Sequence, residues 1–145
     1  TNVDVLNCCF KKCHNIGLTA HDGATVTATR CVFMSATACG VVCATANTKV
    51  TLNDCTLHHN GRYGLAVYDD AVVDLHGTTT DIHSNERGGI FATNNAKVNI
   101  HLPSQHNTTH DNVVQNRVQV DGGSIANINA DGTFTHVEEV DLEDY

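Results

Sequence analysis

The sequence predicts an all-β chain whose strands wind into a solenoid, and three observations carry this prediction. Apolar residues alternate at period two over short segments, which is strand spacing rather than helix spacing. These segments return at a nearly constant interval along the chain. Thr, Val, Ala and Asn dominate while Pro occurs once, and this composition favours strands and polar turns.

Each repeat begins with an alternating apolar pair. The pairs are Val3 and Val5, Val26 and Ala28, Val50 and Leu52, Val73 and Leu75, Val98 and Ile100, and more loosely Ile125 and Ile128. Their first members lie 23, 24, 23, 25 and 27 residues apart. Short strands separated by polar corners at this interval predict a parallel β-helix of about six coils, in which like residues stack about 4.8 Å apart.

Three further features keep the same phase. A second apolar position follows each pair, at Phe10, Phe33, Leu57 and Ile82. A glycine comes next, at Gly17, Gly40, Gly64 and Gly89, and a second alternating pair follows each glycine. Glycine at this point predicts a corner where φ is positive or where the backbone passes close to the next coil.

Two polar or reactive residue types also form columns. Cys8, Cys31 and Cys55 share one phase, which Thr78 would continue. We interpret them as an inward ladder of thiols acting as small hydrophobes, because the odd count and the absence of C-x-x-C pairs argue against a disulfide framework or a zinc site. A second column holds Asn60, Asn85 and Asn112, whose amides are expected to hydrogen-bond along the stack.

The two ends of the repeat differ from its middle. Residues 1–129 are assigned to the β-helix, with an insertion in which Pro103 must interrupt the cysteine phase. Residues 130–145 are assigned to an acidic C-terminal cap or tail. At the other end, a strand edge begins directly at Thr1. We expect either that more coils precede it in a longer protein, or that this edge meets another chain by self-stacking.

The pattern V-x-V-x-x-C-x-F followed by G-L-x-A resembles the right-handed parallel β-helix repeat family, of the pectate-lyase-like kind. The final segments are similar to those of uncharacterised algal and protist β-helix proteins. The resemblance covers residues 2 to about 129 and implies a right-handed helix. It also implies a range of roles, from polysaccharide lyases, hydrolases and epimerases to non-catalytic binding modules.

A candidate ligand-binding patch lies on the outward positions of the first strand. Asp74 and His76 alternate with inward residues, and Asn99 and His101 occupy the same places one coil later. These four side chains should form a square, about 4.8 Å between coils and near 6.7 Å along each strand. A carboxylate beside two imidazoles suits either sugar binding or general acid–base work, and the alternative is a solvated polar face.

Two other surfaces are also candidates. Tyr63 and Tyr68, with Phe91 nearby, suggest aromatic platforms for a short glycan. His58, His83 and His110 form a column if the insertion is threaded so that Thr109 follows the phase of Ile82. Such a column could chelate a divalent ion or respond to mild acid, or its members could simply be solvated.

Composition and motifs narrow the function. The formal net charge of -8 argues against nucleic acid as a partner. The sequence contains no run of 18 apolar residues, the length that a membrane-spanning helix needs. The G-H-G and R-x-K motifs of polygalacturonases and the D-P-H-D motif of mannuronan epimerases are missing. We therefore favour a non-catalytic structural or binding module for a polysaccharide or a protein, without cofactor or metal. The alternative is a carbohydrate-active enzyme that uses the Asp74 patch. A sequon at Asn107 slightly favours an extracellular location.

Overall fold

The computed structural model describes residues 1–101 and 109–136, and every regular element in those ranges is a β-strand. The strands follow one another three to a coil. The first coil holds β1 (Asn2–Leu6), β2 (Cys9–Lys11) and β3 (Leu18–Ala20), and the second holds β4 (Thr25–Thr29), β5 (Val32–Met34) and β6 (Val41–Ala44). The third coil holds β7 (Lys49–Asn53), β8 (Thr56–His58) and β9 (Tyr63–Tyr68), and the fourth holds β10 (Val72–His76), β11 (Asp81–His83) and β12 (Gly88–Ala92). The fifth coil holds β13 (Lys97–His101), β14 (Thr109–His110) and β15 (Gln115–Gln119), and β16 (Ser124–Ile128) and β17 (Phe134–His136) follow it.

Each strand pairs in parallel with the corresponding strand of the next coil, so that three sheets run along the molecule. The first sheet has the order β1-β4-β7-β10-β13-β16-β17, and only its last pairing, between β16 and β17, is antiparallel. The second and third sheets have five strands each. The prediction of an all-β parallel β-helix is confirmed, with five complete coils and the first strand of a sixth. No helix that could cross a membrane occurs in the described residues.

The core lies inside the coils and is built from the alternating pairs that the sequence shows. Val26 pairs with Val50, and Val50 with Val73, in unbroken register. Leu52, Leu57 and Leu65 have no exposed surface, so each of the three sheets supplies one buried side of the third coil. Phe10 stacks on Phe33 with ring centroids 4.9 Å apart.

The cysteine ladder forms in part. Cys31 and Cys55 are buried, and the Cys55 thiol donates to the Ala28 carbonyl of the preceding coil at 3.4 Å. Burial raises the pKa of the Cys55 thiol to about 11, which keeps it protonated and apolar in behaviour. Cys8, in the first coil, is exposed. All seven cysteines are free thiols.

Thr80, and not Thr78, continues this ladder. Asp81 pairs with Thr56, so Thr80 follows Cys55, and it is 4% exposed. Thr78 and Thr79 are exposed extra residues of the corner, where the carboxylate of Asp54 accepts from the amide and the hydroxyl of Thr79. The corner absorbs the added length, so the register on both sides is unchanged.

The second corner, which joins the second and third strands of a coil, carries the asparagine ladder in the third, fourth and fifth coils. Asn60 Nδ2 donates to Asn85 Oδ1, and Asn85 Nδ2 donates to Asn112 Oδ1, each at 2.9 Å. The same amides also bond the backbone, as when Asn85 Nδ2 donates to the Leu57 carbonyl at 3.1 Å. The predicted column of three asparagines is therefore present, and it satisfies buried backbone groups at each step.

The glycine of each coil is required by close approach and not by a positive φ. A Cβ atom on Gly17 would lie 2.6 Å from the carbonyl oxygen of Gly40, and one on Gly40 would lie 2.8 Å from that of Gly64. Successive coils thus touch backbone to backbone at this column. Of the two explanations that the sequence left open, close packing of coils is the one that holds.

The interior becomes polar in the last complete coil. Arg117 pairs with Ile90, which places it in an inward position, and its Nε donates to the Thr109 hydroxyl at 2.7 Å. Asn127, and not Ile128, aligns with Ile100. Arg117 takes this inward position because the strand β15 continues through it. Pro103, Asn107 and the acidic stretch 137–145 lie outside the described residues, while β17 falls within the segment assigned to the cap.

Candidate functional site

The predicted square of polar side chains assembles on the outer face of the first sheet. Asp74 pairs directly with Asn99 across β10 and β13. Asn99 Nδ2 donates to Asp74 Oδ1 at 3.0 Å, and His101 Nε2 lies 2.9 Å from the same oxygen. A fifth residue joins them, since Lys49 Nζ lies 3.0 Å from Asp74 Oδ2. We call these five residues, Lys49, Asp74, His76, Asn99 and His101, the first-sheet patch.

Asp74 is more enclosed than an outward strand position predicts, with only 7% of its surface exposed. Burial by itself would raise the pKa of its carboxyl. The hydrogen bonds from His101, Asn99 and Lys49, together with the charge of Lys49, outweigh burial and lower the pKa below the ordinary value. Asp74 is therefore an ionised group that holds its neighbours in place.

The two imidazoles of the patch form a stack. His76 and His101 have ring centroids 4.2 Å apart and planes inclined by 10°. Burial lowers the pKa of His76, and repulsion from His101 lowers it further. His76 is thus held neutral at physiological pH, with ring nitrogens suited to exchanging hydrogen bonds with hydroxyl groups.

Lys49 was missed by the sequence analysis. It begins β7, in the column of Val72 and Lys97, one outward position before Thr51. Lys49 lies two residues before Thr51, the neighbour of Asp74 in the preceding coil, and this position could have signalled the ion pair. Counting residues along the coils does not show that the long lysine side chain reaches across to Asp74.

The aromatic residues lie on the third sheet, on a different side of the coil from the first-sheet patch. Tyr63 stacks on Phe91 with centroids 4.8 Å apart, and Phe91 contacts Tyr68 at 5.8 Å. Together they cover Ala66, which has no exposed surface. Tyr63 is only 4% exposed, and burial raises its pKa to about 12. Its ring faces are used in packing, which leaves Tyr68 and Phe91 as the half-buried aromatic rings of this group.

The predicted histidine column is present on the second sheet. His58 pairs with His83 and His83 with His110, and Thr109 follows Ile82, as the threading of the insertion required. The rings stack in parallel, with centroids 5.0 Å apart at the first step and 5.2 Å at the second. We call His58, His83 and His110 the second-sheet column.

Three neighbours of this column were not foreseen. His59 Nδ1 lies 2.6 Å from His58 Nδ1, Asp81 Oδ1 lies 2.6 Å from His110 Nε2, and Asp111 Oδ2 lies 2.9 Å from His110 Nδ1. His59 and Asp111 sit at corners with φ of 55° and 53°, where the backbone turns their side chains back towards the column. Among the described residues, no group of three or more His, Cys, Asp or Glu side chains is arranged to hold a metal ion.

Comparison with known proteins identifies the fold family. No curated protein and no solved structure gave a significant match. The model of the right-handed beta helix region matches residues 1–80, which is more than half of the chain. The repeat, the three parallel sheets and this match agree, and the chain therefore belongs to the right-handed β-helix family.

Proposed function

We propose that the protein is a non-catalytic binding module that holds a carbohydrate against the first-sheet patch. The observation that supports this most directly is the state of Asp74. Both of its oxygens already accept hydrogen bonds or an ion pair, and its pKa is lowered. A general acid must carry a proton at working pH, and a general base needs a free lone pair near the substrate. Asp74 is ionised, so it has no proton to donate, and three of its four lone pairs are already taken by Asn99, His101 and Lys49.

The exposed parts of the patch suit sugar hydroxyls. The side chain of Lys49 is about half exposed, and that of His101 is 29% exposed. Thr51 and Asn53 continue the polar surface one coil before Asp74 and His76. Fixed donors and acceptors on a rigid sheet bind with little loss of conformational entropy, which favours recognition without chemistry.

The test is a glycan array together with an activity screen on alginate, pectin and related uronans, using the full chain. We expect retention of a glycan without turnover, and a loss of binding of tenfold or more in His76→Ala, which is about 1.4 kcal/mol. The matched control is His21→Ala, because His21 is exposed at a corner away from the patch.

Three outcomes would contradict the proposal. A measured turnover that Asp74→Ala abolishes would show a carbohydrate-active enzyme instead. Equal glycan binding by His76→Ala and His21→Ala would place the ligand elsewhere, and absence of any bound glycan would leave a protein as the partner of the module.

A further inference from the structure

The second-sheet column has a built-in asymmetry of charge. At one end His110 lies between two carboxylates, Asp81 and Asp111, at 2.6 and 2.9 Å. In the middle, His83 Nε2 lies 4.0 Å from Asp81, and its Nδ1 lies 2.9 Å from the Ser84 hydroxyl. The carboxylates are therefore concentrated towards the C-terminal end of the column.

The other end of the column is poor in negative charge. His58 faces His59 at the corner and His83 on β11, both of which are imidazoles. On its other side it pairs with Met34 of β5, and Lys11 of β2 follows Met34 in the same column.

The remaining charged groups near His58 are few. Asp81 on β11 raises the pKa of His58, but its effect is smaller than those of burial, His83 and His59. His110 and Asp111 lie one coil further on. A proton on His58 would thus meet imidazoles on two sides and an apolar side chain on the third.

Stacked imidazoles at 5 Å can share one positive charge more easily than several. The short contact between His58 Nδ1 and His59 Nδ1 needs one donor and one acceptor, so it is lost when both rings are protonated. The ring stack between His58 and His83 is likewise disfavoured when both carry charge, because like charges repel strongly in a half-buried place.

We propose that the second-sheet column is an acid-sensitive element, in which protons taken up towards His58 separate the ring stack and loosen β8 from β11. The carboxylates of Asp81 and Asp111 favour a proton on His110, so the column is charged first at that end. On further acidification a proton on His58 meets the rings of His59 and His83, and the second sheet opens locally while the first sheet remains paired.

His58, at one end of the column, makes the stability of the folded chain depend on pH. Burial lowers the pKa of His58, and His83 and His59 lower it further. The unfolded chain takes up this proton near 6.5, so the stability that neutral His58 contributes is lost as pH falls from 6.5 through the folded pKa.

His110 behaves in the opposite way. The hydrogen bond that His110 donates to Asp111, with the charges of both carboxylates, raises the pKa of His110. Its contribution is complete below 6.5 and is lost as pH rises through the folded pKa. The two effects occupy different pH ranges, so the column is most stable near the ordinary histidine value.

The experiment combines unfolding curves with amide exchange across pH 5 to 8, on the full chain. We expect the midpoint of unfolding to decrease as the pH is lowered below 6.5. This decrease should be smaller in His58→Gln than in the parent chain, while the control His21→Gln should follow the parent chain. Amides of β8 and β11 should exchange faster in acid relative to those of β7 and β10. Since His58→Gln removes the weakly protonated end and leaves His110 intact, it should not change the pH dependence above 6.5.

Several results would overturn the proposal. These are parallel pH curves for His58→Gln and the parent, equal acid acceleration of exchange in both sheets, or an NMR titration in which His58 protonates before His110. If His58→Gln failed to fold, exchange and NMR titration of the parent chain would decide the question alone.

Discussion

Asp74 and Asp81 occupy similar places in the fold but have very different surroundings. Each lies on the fourth coil, and each contacts a histidine of the fifth coil, at 2.9 Å for His101 and 2.6 Å for His110. The side chain of Asp74 is 10% exposed, whereas that of Asp81 is 36% exposed. The same residue pair is therefore an anchor on one sheet and a surface contact on the other.

The difference arises from the strands that carry the two residues. Asp74 is at the centre of a five-residue strand and is flanked by Lys49 from one coil and Asn99 from the next. Asp81 begins a three-residue strand directly after the first corner, which joins the first and second strands of a coil, and solvent reaches it there. Position along the strand, more than residue type, decides which carboxylate becomes structural.

The largest expected loss of stability is that of Asp74→Ala, compared with Asp81→Ala. Asp74→Ala leaves three donors without their acceptor and should cost about 2–3 kcal/mol of unfolding free energy. Asp81→Ala should cost less than about 1 kcal/mol, because the ion pair is exposed. Urea unfolding at neutral pH measures both, and equal costs would show that burial does not distinguish the two sites.

Asp74→Asn tests the charge without removing the shape. We expect a loss of about 1–2 kcal/mol at neutral pH. Because the folded pKa of Asp74 is lowered, its contribution is present above 3.8 and is lost as pH falls through the folded value. The difference between Asp74→Asn and the parent should therefore shrink in acid, which a pH series of unfolding curves would show. A constant difference would mean that the carboxylate is not ionised in the folded chain.

The histidine partners should differ in the same direction. His101→Ala removes a contact to a buried carboxylate and a ring stack, at a cost of about 1 kcal/mol. His110→Ala should cost about 0.5 kcal/mol or less, since its side chain is 39% exposed. Thermal unfolding of the two variants checks the order, and a larger loss for His110→Ala would contradict it.

Lys49→Ala should also give only a small change, about 0.5 kcal/mol, since half of this side chain is exposed. Lys97→Ala is the matched control, because Lys97 is exposed two coils away in the same column. The loss for Lys49 should disappear in 1 M salt, where an exposed pair is screened. A loss that salt does not reduce would indicate packing and not charge.

Counting along the sequence predicted the fold and most of the columns. His83 lies over His58 and Asn85 over Asn60 because the distance between equivalent strands is fixed by backbone hydrogen bonds. Such columns depend only on register, and register is set by the apolar pairs. This is why the place of His110 could be predicted across the insertion.

Side-chain reach and local changes of coil length could not be predicted in this way. The ion pair of Asp74 is made by the long side chain of Lys49, which reaches across from the neighbouring coil. Thr80 replaced Thr78 in the cysteine ladder because two extra residues enter the corner and Asp54 ties one of them down. Arg117 points inward because β15 keeps the eight-residue spacing from Thr109 that Ile90 keeps from Ile82.

The coils vary in length mainly at the first corner. Four residues lead from Asn53 to Leu57, six from His76 to Ile82 and eight from His101 to Thr109. The step from the second sheet to the third is eight residues in each of the five coils. The close approach of the glycines restricts this corner in the first four coils, and the stacked asparagines restrict it in the third to fifth.

The first corner is therefore the natural place for evolution, or for protein engineering, to graft a peptide onto this scaffold. A segment inserted there would be displayed beside the first-sheet patch, while the strands before and after it kept their partners. The asparagine corner would not accept such a graft, because one added residue would break a hydrogen-bonded column that runs through several coils.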